Sequence, residues 1–240
     1  MALMEVIESV NNLESEMIER FPADGGGEIK WGAQLTVRDS QWAVLYRDGK
    51  ALEAFDAGRH VLTTQNIPVL TKFVTQFGYG KDSPFRADVV FVSKRLFPNL
   101  KWGTTNPIPI IDPKLGFPIS LRAFGNWGYE IVESKSFLRK LVGTLNKINA
   151  KTIEDFFETF LLQNFSDLTS EVIIKNKFSV FEINSQLNEL SVAINESSSD
   201  ELIKYGIKLT NFDIANINIP KEEKKKIQEV LAKKMEIEQI

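Results

Sequence analysis

The sequence predicts an α+β fold, because strand-like segments come first, helical segments follow, and one long strand then leads into a final helix. The strand-like segments lie mainly in 28–132, where short apolar runs are separated by turn residues. From Ser136 onward the apolar residues recur at three- and four-residue steps, which is the spacing of an amphipathic helix. Residues 205–220 then alternate as a strand does, and a charged segment follows from Lys221.

Composition limits the classes of protein to which the chain can belong. Its 240 residues are 43% hydrophobic and 25% charged, as in ordinary globular domains. The net charge of −3 gives no reason to expect a nucleic-acid partner. The absence of cysteine excludes disulfides, thiolate zinc sites and cysteine nucleophiles. No apolar run approaches the roughly 18 residues of a membrane-spanning helix, and no signal-peptide pattern is present, so any membrane contact is expected to be peripheral or to come from other sequence.

Residues 1–21 are predicted to form an N-terminal amphipathic helix. Its apolar residues recur at helical steps, and its polar face carries five glutamates against one arginine. A helix that lies on anionic lipid usually carries lysine or arginine on that face, so docking on protein is favoured over membrane binding. The candidate assembly residues on this helix are Leu3, Val10, Leu13 and Met17.

The segment 28–132 is predicted to supply most of the strands. Turn signals at 39–40, 48–49 and 57–58 separate the first of them, and the Asp48-Gly49 pair is a strong hairpin signal. Further strands are expected at 86–94, 100–102, 108–111, 119–124 and 129–132.

A loop at 73–85 is the candidate membrane contact. It combines aromatic rings with lysines, a mixture that suits the interfacial layer of a bilayer. The alternative, which is favoured, is that the rings fold inward and cap the β core, because exposed aromatic rings reduce solubility. The candidate lipid-contacting residues are Phe73, Phe77, Tyr79 and Lys81.

Two helices are predicted between 136 and 205. The first has a wide apolar face over 153–168. The second is opened by a capping box at Ser179 and Glu182 and buries Leu187, Leu190 and Ile194. Two outcomes stay open for its end: it continues to residue 205, or the serine-rich segment 197–200 breaks it.

The last part of the chain is predicted to be a strand that launches a charged helix. Gly206 suits a left-handed helix stop, two slips in the apolar alternation indicate two bulges, and Pro220 suits a first helical turn. The helix at 220–240 is too polar to be stable alone, so we expect it to begin a coiled coil with a partner helix. Its stripe reaches the last residue without a closing glycine or asparagine, so the natural protein is expected to continue. The candidate assembly residues here are Ile227, Val230, Leu231 and Met235.

No catalytic, cofactor-binding or metal-binding residue is expected. His60 is the single histidine and has no nucleophile motif near it. Residues 78–83 lack the lysine–hydroxyl pair of a phosphate-binding loop, because Asp82 stands where the hydroxyl would be. The lysines at 224–226 lie among glutamates at helical spacing and are read as a solvated helix face.

Four stretches, in order, carry a family resemblance that spans about 30–240. They are 32–37 with 41–44; Asp48-Gly-Lys50 leading to Gly58-Arg-His-Val-Leu62; Lys101-Trp-Gly-Thr104 followed by 117–128; and 179–190 with the closing strand 205–220. The chain resembles the SPFH, or band 7, superfamily of stomatin-, prohibitin- and flotillin-like proteins. Within it, the chain is similar to the bacterial stand-alone branch labelled "virion core protein-like".

The resemblance implies an SPFH domain at 28–219, with an antiparallel-rich sheet and packed helices, followed by a coiled-coil-type helix. It implies a non-enzymatic homo-oligomeric scaffold in the cytoplasm, peripheral to the inner face of the cell membrane. Partners implied by the branch are lipid and phage-shock-protein-A-like proteins of the envelope-stress response. The leading alternative is a soluble adaptor that binds proteins without touching lipid. The chain departs from its relatives in its acidic N-terminal segment and in lacking the cysteines of a zinc-ribbon-like tail.

Overall fold

The computed structural model describes residues 5–9, 17–47, 49–63, 65, 85–142 and 150–238. The chain divides into two compact units. The first unit comprises Met1–Leu96, Glu130–Asp155 and Leu202–Lys208, and the second comprises Phe97–Tyr129, Phe156–Glu201 and Leu209–Ile240.

The first unit is built from short strands around one apolar core. Its strands are β1 Val6–Glu8, β2 Ile18–Phe21, β3 Glu28–Ile29, β4 Gln34–Val37, β5 Gln41–Arg47, β6 Lys50–Phe55, β7 Gly58–Val61, β8 Phe85–Arg86 and β9 Asp88–Ser93. They form sheets in the orders β1-β4-β7, β2-β9-β5-β6 and β3-β8. Side chains from all three sheets, among them Leu35, Phe85 and Phe91, share one buried cluster. The predicted hairpin at 48–49 is confirmed by the antiparallel pairing of Arg47 with Lys50.

The predicted N-terminal helix at 1–21 is wrong for the residues that the structure describes in it. Strand β1 pairs in parallel with β4, and β2 pairs antiparallel with β9. Ile7 lies opposite Leu35 and is fully buried in the core cluster. The apolar spacing of this segment fits a helix, but among its described residues pairing with strands distant in sequence buries Ile7 and leaves Val6 exposed.

The second unit contains most of the remaining strands, which are β10 Leu96–Gly103, β11 Ile108–Ile111, β12 Pro118–Ile131 and β13 Ile207–Asn218. The order is β10-β12-β11, and β13 also pairs with β12. The strands predicted at 119–124 and 129–132 are in fact one continuous strand. Gly125 lies in the interval between the two predicted strands. A Cβ at this position would lie 1.8 Å from the carbonyl oxygen of Asp213. This glycine permits the close approach of β13 and does not mark a break.

Strand β13 carries both predicted phase slips. Its buried residues step from Leu209 to Phe212 and from Ile214 to Ile217, where strict alternation would require a step of two. Gly206 precedes it in the left-handed conformation, with φ of 75°. In the second unit the Trp102 ring stacks on Phe212 at 4.7 Å, and its Nε1 donates to the carbonyl oxygen of Asp213 at 3.1 Å.

The described helices are α1 Ser134–Phe137, which continues as a π-helical turn over Leu138–Val142, α2 Ala150–Asn176, α3 Leu187–Leu202 and α4 Lys221–Glu238. The buried row of α2 is narrower than predicted, since it follows every fourth residue and leaves Phe156 exposed. Helix α3 runs through the serine-rich segment and is extended by a 3-10 turn at Ile203–Tyr205. The serines do not break it, because Ser197 and Ser199 donate to carbonyl oxygens of the preceding turn.

Candidate functional site

The start of helix α4 is attached to the sheet of the second unit. The carbonyl oxygen of Pro220 accepts hydrogen bonds from the N–H groups of Glu223 at 3.1 Å and Lys224 at 3.0 Å. The Glu223 side chain turns back, and its Oε1 accepts from the N–H of Ser120 at 2.9 Å on β12. This bond spans the junction of strand and helix, so it sets the direction in which α4 leaves the sheet.

Two apolar residues of α4 differ in burial: one anchors the helix to its own chain, and the other is exposed to a possible partner. Ile227 is only 2% exposed, so this residue packs within its own chain. Val230, one turn later, is 49% exposed, and Leu231 is half-buried. The side chain of Met235 lies outside the described residues. The apolar stripe that remains for a partner therefore begins at Val230.

A basic groove of about 590 Å³ opens beside the start of α4. It is lined by the cationic side chains of Arg122, Lys221 and Lys224, by the backbone around Gly103, and by Phe124, which is 51% exposed. Arg122 and Phe124 share one face of β12, because they are two residues apart on a strand. The groove therefore combines a cluster of positive charge with an accessible aromatic ring.

Helix α3 is fastened to β13 along one side. The Asn184 side chain, just before the helix, donates to the carbonyl oxygen of Ile217 at 3.0 Å and accepts from the N–H of the same residue at 3.1 Å. Ser191 Oγ accepts from the N–H of Ile214 at 3.1 Å. These contacts hold one face of α3 on the strand and leave the opposite face exposed.

A buried carboxylate holds the loop between β11 and β12 to the turn before α3. One oxygen of Asp112 accepts from the N–H groups of Lys114 and Leu115 at 2.8 and 2.9 Å. The other accepts from Ser179 Oγ at 2.7 Å and from the N–H of Val180 at 2.8 Å. Burial raises the pKa of Asp112, but the hydrogen bonds, that from Ser179 first, outweigh it, and the net pKa is lowered.

The capping box predicted at 179–182 is half formed. The Glu182 carboxylate accepts from the N–H of Ser179 at 2.9 Å, as expected, but Ser179 Oγ donates to Asp112. Glu182 also pairs with Lys114 at 2.6 Å. The hydrogen bond from Lys114, followed by that from the Ser179 N–H, lowers the pKa of Glu182.

Several predicted site residues cannot be placed. Phe73, Phe77, Tyr79 and Lys81, proposed for lipid contact, and Leu3, Val10 and Leu13, proposed for assembly, lie outside the described residues. Met17 is buried, and its carbonyl oxygen accepts from the N–H of Ser93 at 2.9 Å. The Nε2 of His60 lies 2.7 Å from the carbonyl oxygen of Asp56, and its ring packs on Phe55.

Asp112, Arg122 and the Glu223–Ser120 hydrogen bond were not predicted from the sequence. Asp112 is followed by a proline and, after two more residues, by Gly116, which is a local turn signal that could have marked it. The partners of Asp112 at 179–180 come from a distant part of the chain, and so do the lysines that lie beside Arg122. No local sequence pattern predicts such contacts.

Within the described residues, no helix combines the length and the apolar composition that a membrane span requires. Among the same residues, no three histidine or acidic side chains are grouped so that they could hold a metal ion.

Comparison with known proteins identifies the class to which this fold belongs. A model described as "SPFH domain-Band 7 family" matches residues 18–235, which is most of the chain. The chain therefore belongs to the SPFH/band 7 family, whose members are generally scaffolds that oligomerise. This match confirms the α+β SPFH fold predicted from the sequence.

One similar protein comes from Bacillus subtilis (strain 168), where it is named "Uncharacterized protein YdjI". The two are 27% identical over 209 residues, which is 86% of this chain. The aligned part of this chain spans 61% of the length of that relative.

Proposed function

We propose that the chain is a subunit of a non-enzymatic, homo-oligomeric scaffold at the inner face of the cytoplasmic membrane. In this role it organises membrane or recruits envelope-stress proteins of the phage-shock type. Membership of the SPFH/band 7 family supports a scaffold. The observation that carries the proposal is the division of helix α4 into an anchored start and an exposed apolar continuation.

The anchored start makes α4 suitable as an assembly element. Ile227 and the Glu223–Ser120 hydrogen bond hold the first two turns on the second unit. Val230 and Leu231 then continue the apolar stripe at the surface. A helix with this little apolar area is stabilised by a partner helix, so α4 of a second copy is the natural occupant, in a coiled coil.

The test is the mass of the full-length protein measured by analytical ultracentrifugation over a range of concentrations. Val230→Asp places a charge on the proposed seam and should shift the distribution toward smaller species. Ala232→Asp, an exposed position on the same helix and off the stripe, is the matched control and should leave the distribution unchanged.

A third variant separates folding from assembly. Ile227→Ala should lower the free energy of unfolding by about 2–5 kcal/mol, because it leaves a cavity at a buried site. If Val230→Asp and Ala232→Asp gave the same distribution as the unchanged protein, α4 would be a spacer and not an assembly element.

A further inference from the structure

The second unit carries a positively charged concave surface that the proposed coiled coil does not use. The basic groove brings together Arg122 on β12 with Lys221 and Lys224 on the first turn of α4. Glu223, which precedes Lys224, does not line the groove, and its carboxylate accepts a hydrogen bond from the N–H of Ser120 on β12. Phe124 adds a ring that is 51% exposed. A fitting partner would therefore present negative charge around an apolar group.

The same unit carries a convex surface of that description. Helix α3 contains four acidic residues and no lysine or arginine in Leu187–Leu202. Four exposed residues of this helix form an acidic ridge, defined here by Glu189, Val192, Glu196 and Asp200. Val192 and Glu196 also border a pocket beside residues 210–213 of β13. Val192 is 57% exposed and lies between Glu189 and Glu196 at helical spacing. The ridge is thus an exposed aliphatic group flanked by carboxylates.

We propose that the acidic ridge of one copy docks in the basic groove of the next copy. In this contact the carboxylates of Glu189 and Glu196 face the cations of the groove, and Val192 covers Phe124. The complementarity of charge, of curvature and of the single exposed apolar group on each side points to a second copy as the occupant. The inference rests on the proposed oligomeric scaffold and adds to it the surface by which neighbouring domains meet.

The symmetry of the assembly follows from the two surfaces being different. Each copy gives its ridge to one neighbour and its groove to another, which makes the contact heterologous. A heterologous contact repeats from copy to copy, so it generates a closed ring or an open filament and not a two-fold dimer. The coiled-coil contact of α4 would then join copies that the ridge and groove already place side by side.

The competing occupant of the groove is the phosphate of an anionic lipid. Three cations would suit a phosphate group as well as a carboxylate. A phosphate has no need of Phe124, however, and it leaves the acidic ridge with Val192 without a partner. The described surfaces therefore favour a second copy, and lipid becomes one outcome of the test.

The experiment uses two complementary charge reversals in the full-length chain. The ridge variant carries Glu189→Lys with Glu196→Lys, and the groove variant carries Arg122→Glu with Lys224→Glu. Each variant alone should associate only at concentrations at least about tenfold higher than the unchanged protein, because like charges then meet at every contact. An equimolar mixture of the two variants should recover association, since each altered surface then meets an altered surface of opposite charge.

Recovery in the mixture also shows that both variants are folded, because an unfolded chain cannot restore a specific contact. The matched controls are Asp167→Lys on α2 and Lys226→Glu on α4, at exposed positions outside ridge and groove. Both controls should associate as the unchanged protein does. Mass photometry and sedimentation velocity give the readout, and circular dichroism checks the helix content of each variant alone.

The remaining outcomes distinguish failure of this inference from failure of the proposed function. An unchanged protein that is monomeric at every concentration would overturn the oligomeric scaffold itself. Oligomers that survive both reversals, or a mixture that fails to recover, would overturn the ridge–groove contact and leave the scaffold standing. A groove variant of unchanged mass that no longer floats with vesicles of phosphatidylglycerol would assign the groove to lipid and overturn the contact.

Discussion

At the scale of single residues, two carboxylates shape the described structure by accepting hydrogen bonds from backbone N–H groups. Asp112 does so in the second unit. In the first unit, Asp88 accepts from the N–H of Gly26 at 2.6 Å and pairs with Arg20. The glycine loop at 25–27 therefore surrounds a carboxylate of its own chain. This explains a glycine run that otherwise resembles a simple linker.

The first prediction concerns Asp112. Replacing it with asparagine should lower the free energy of unfolding by about 1.5–3 kcal/mol at pH 7, because hydrogen bonds to a charged acceptor are lost or weakened. Urea unfolding of Asp112→Asn measures the loss. Asp167→Asn, an exposed position on α2, is the control and should change stability by less than about 0.5 kcal/mol.

The same pair of proteins gives a pH dependence with a definite sign. The folded-state pKa of Asp112 lies below its ordinary value of 3.8. The ionised carboxylate therefore stabilises the fold fully above that value, and the stabilisation is lost as the pH falls through the lowered pKa. The difference between Asp112→Asn and the unchanged protein should shrink below about pH 4. A difference that stayed constant down to the acid transition would show that the charge of Asp112 is not what stabilises the loop.

At the scale of elements, the N-terminal segment is the clearest case of a strand formed by distant pairing. Strand β1 has only three residues, yet its parallel pairing with β4 places Ile7 in the core of the first unit. A three-residue strand has no stability of its own. Its position is decided by the sheet that it joins and by the burial of one side chain.

The second prediction follows from this arrangement. Ile7→Ala should destabilise the protein by about 2–5 kcal/mol, because Ile7 is 0% exposed and its truncation leaves a cavity. Val6→Ala removes a side chain that is 51% exposed on the same strand and should cost less than about 0.5 kcal/mol. Urea unfolding at two protein concentrations separates this effect from any change in assembly. If both substitutions had equally small effects on stability, β1 would not be part of the folded core.

At the scale of the whole molecule, the proposed scaffold requires both self-association and a membrane surface. The described residues supply candidate surfaces for self-association, in α4 and in the ridge and groove of the second unit. The proposed lipid contact falls in 73–85, where the structure describes only Phe85, which is buried. Membrane binding is thus an expectation from sequence and family, and a direct binding measurement tests it.

The third prediction is flotation of the full-length protein with vesicles that contain phosphatidylglycerol. Phe77→Ser combined with Tyr79→Ser should reduce the floated fraction several-fold, because aromatic rings anchor in the bilayer interface. Phe181→Ser, an exposed aromatic position elsewhere, is the control and should float as the unchanged protein does. An unchanged protein that stays at the bottom of the gradient would favour the adaptor without lipid contact.

The parts of this protein that were predicted from sequence are those whose signal is local. Strand β13 shows its two phase slips within twelve residues, and the hairpin after β5 is marked by one dipeptide. Gly206 and the capping residues before α3 likewise act on their immediate neighbours. Side-chain periodicity and turn chemistry depend on adjacent residues, so the sequence by itself determined the α+β class, most of the elements and the order that is typical of the family.

The tertiary structure alone decided the features that depend on residues far apart in the chain. Residues 6–8 became a strand because β4 was available beside them, and Gly125 allowed one strand where the sequence suggested two. Ile227 is buried whereas Val230, on the same helix, is exposed. Asp112 accepts hydrogen bonds from residues that lie 67 and 68 positions away in the sequence. Local periodicity records which face of a segment is apolar but not what covers it. Burial and pairing between distant segments therefore had to be read from the folded chain.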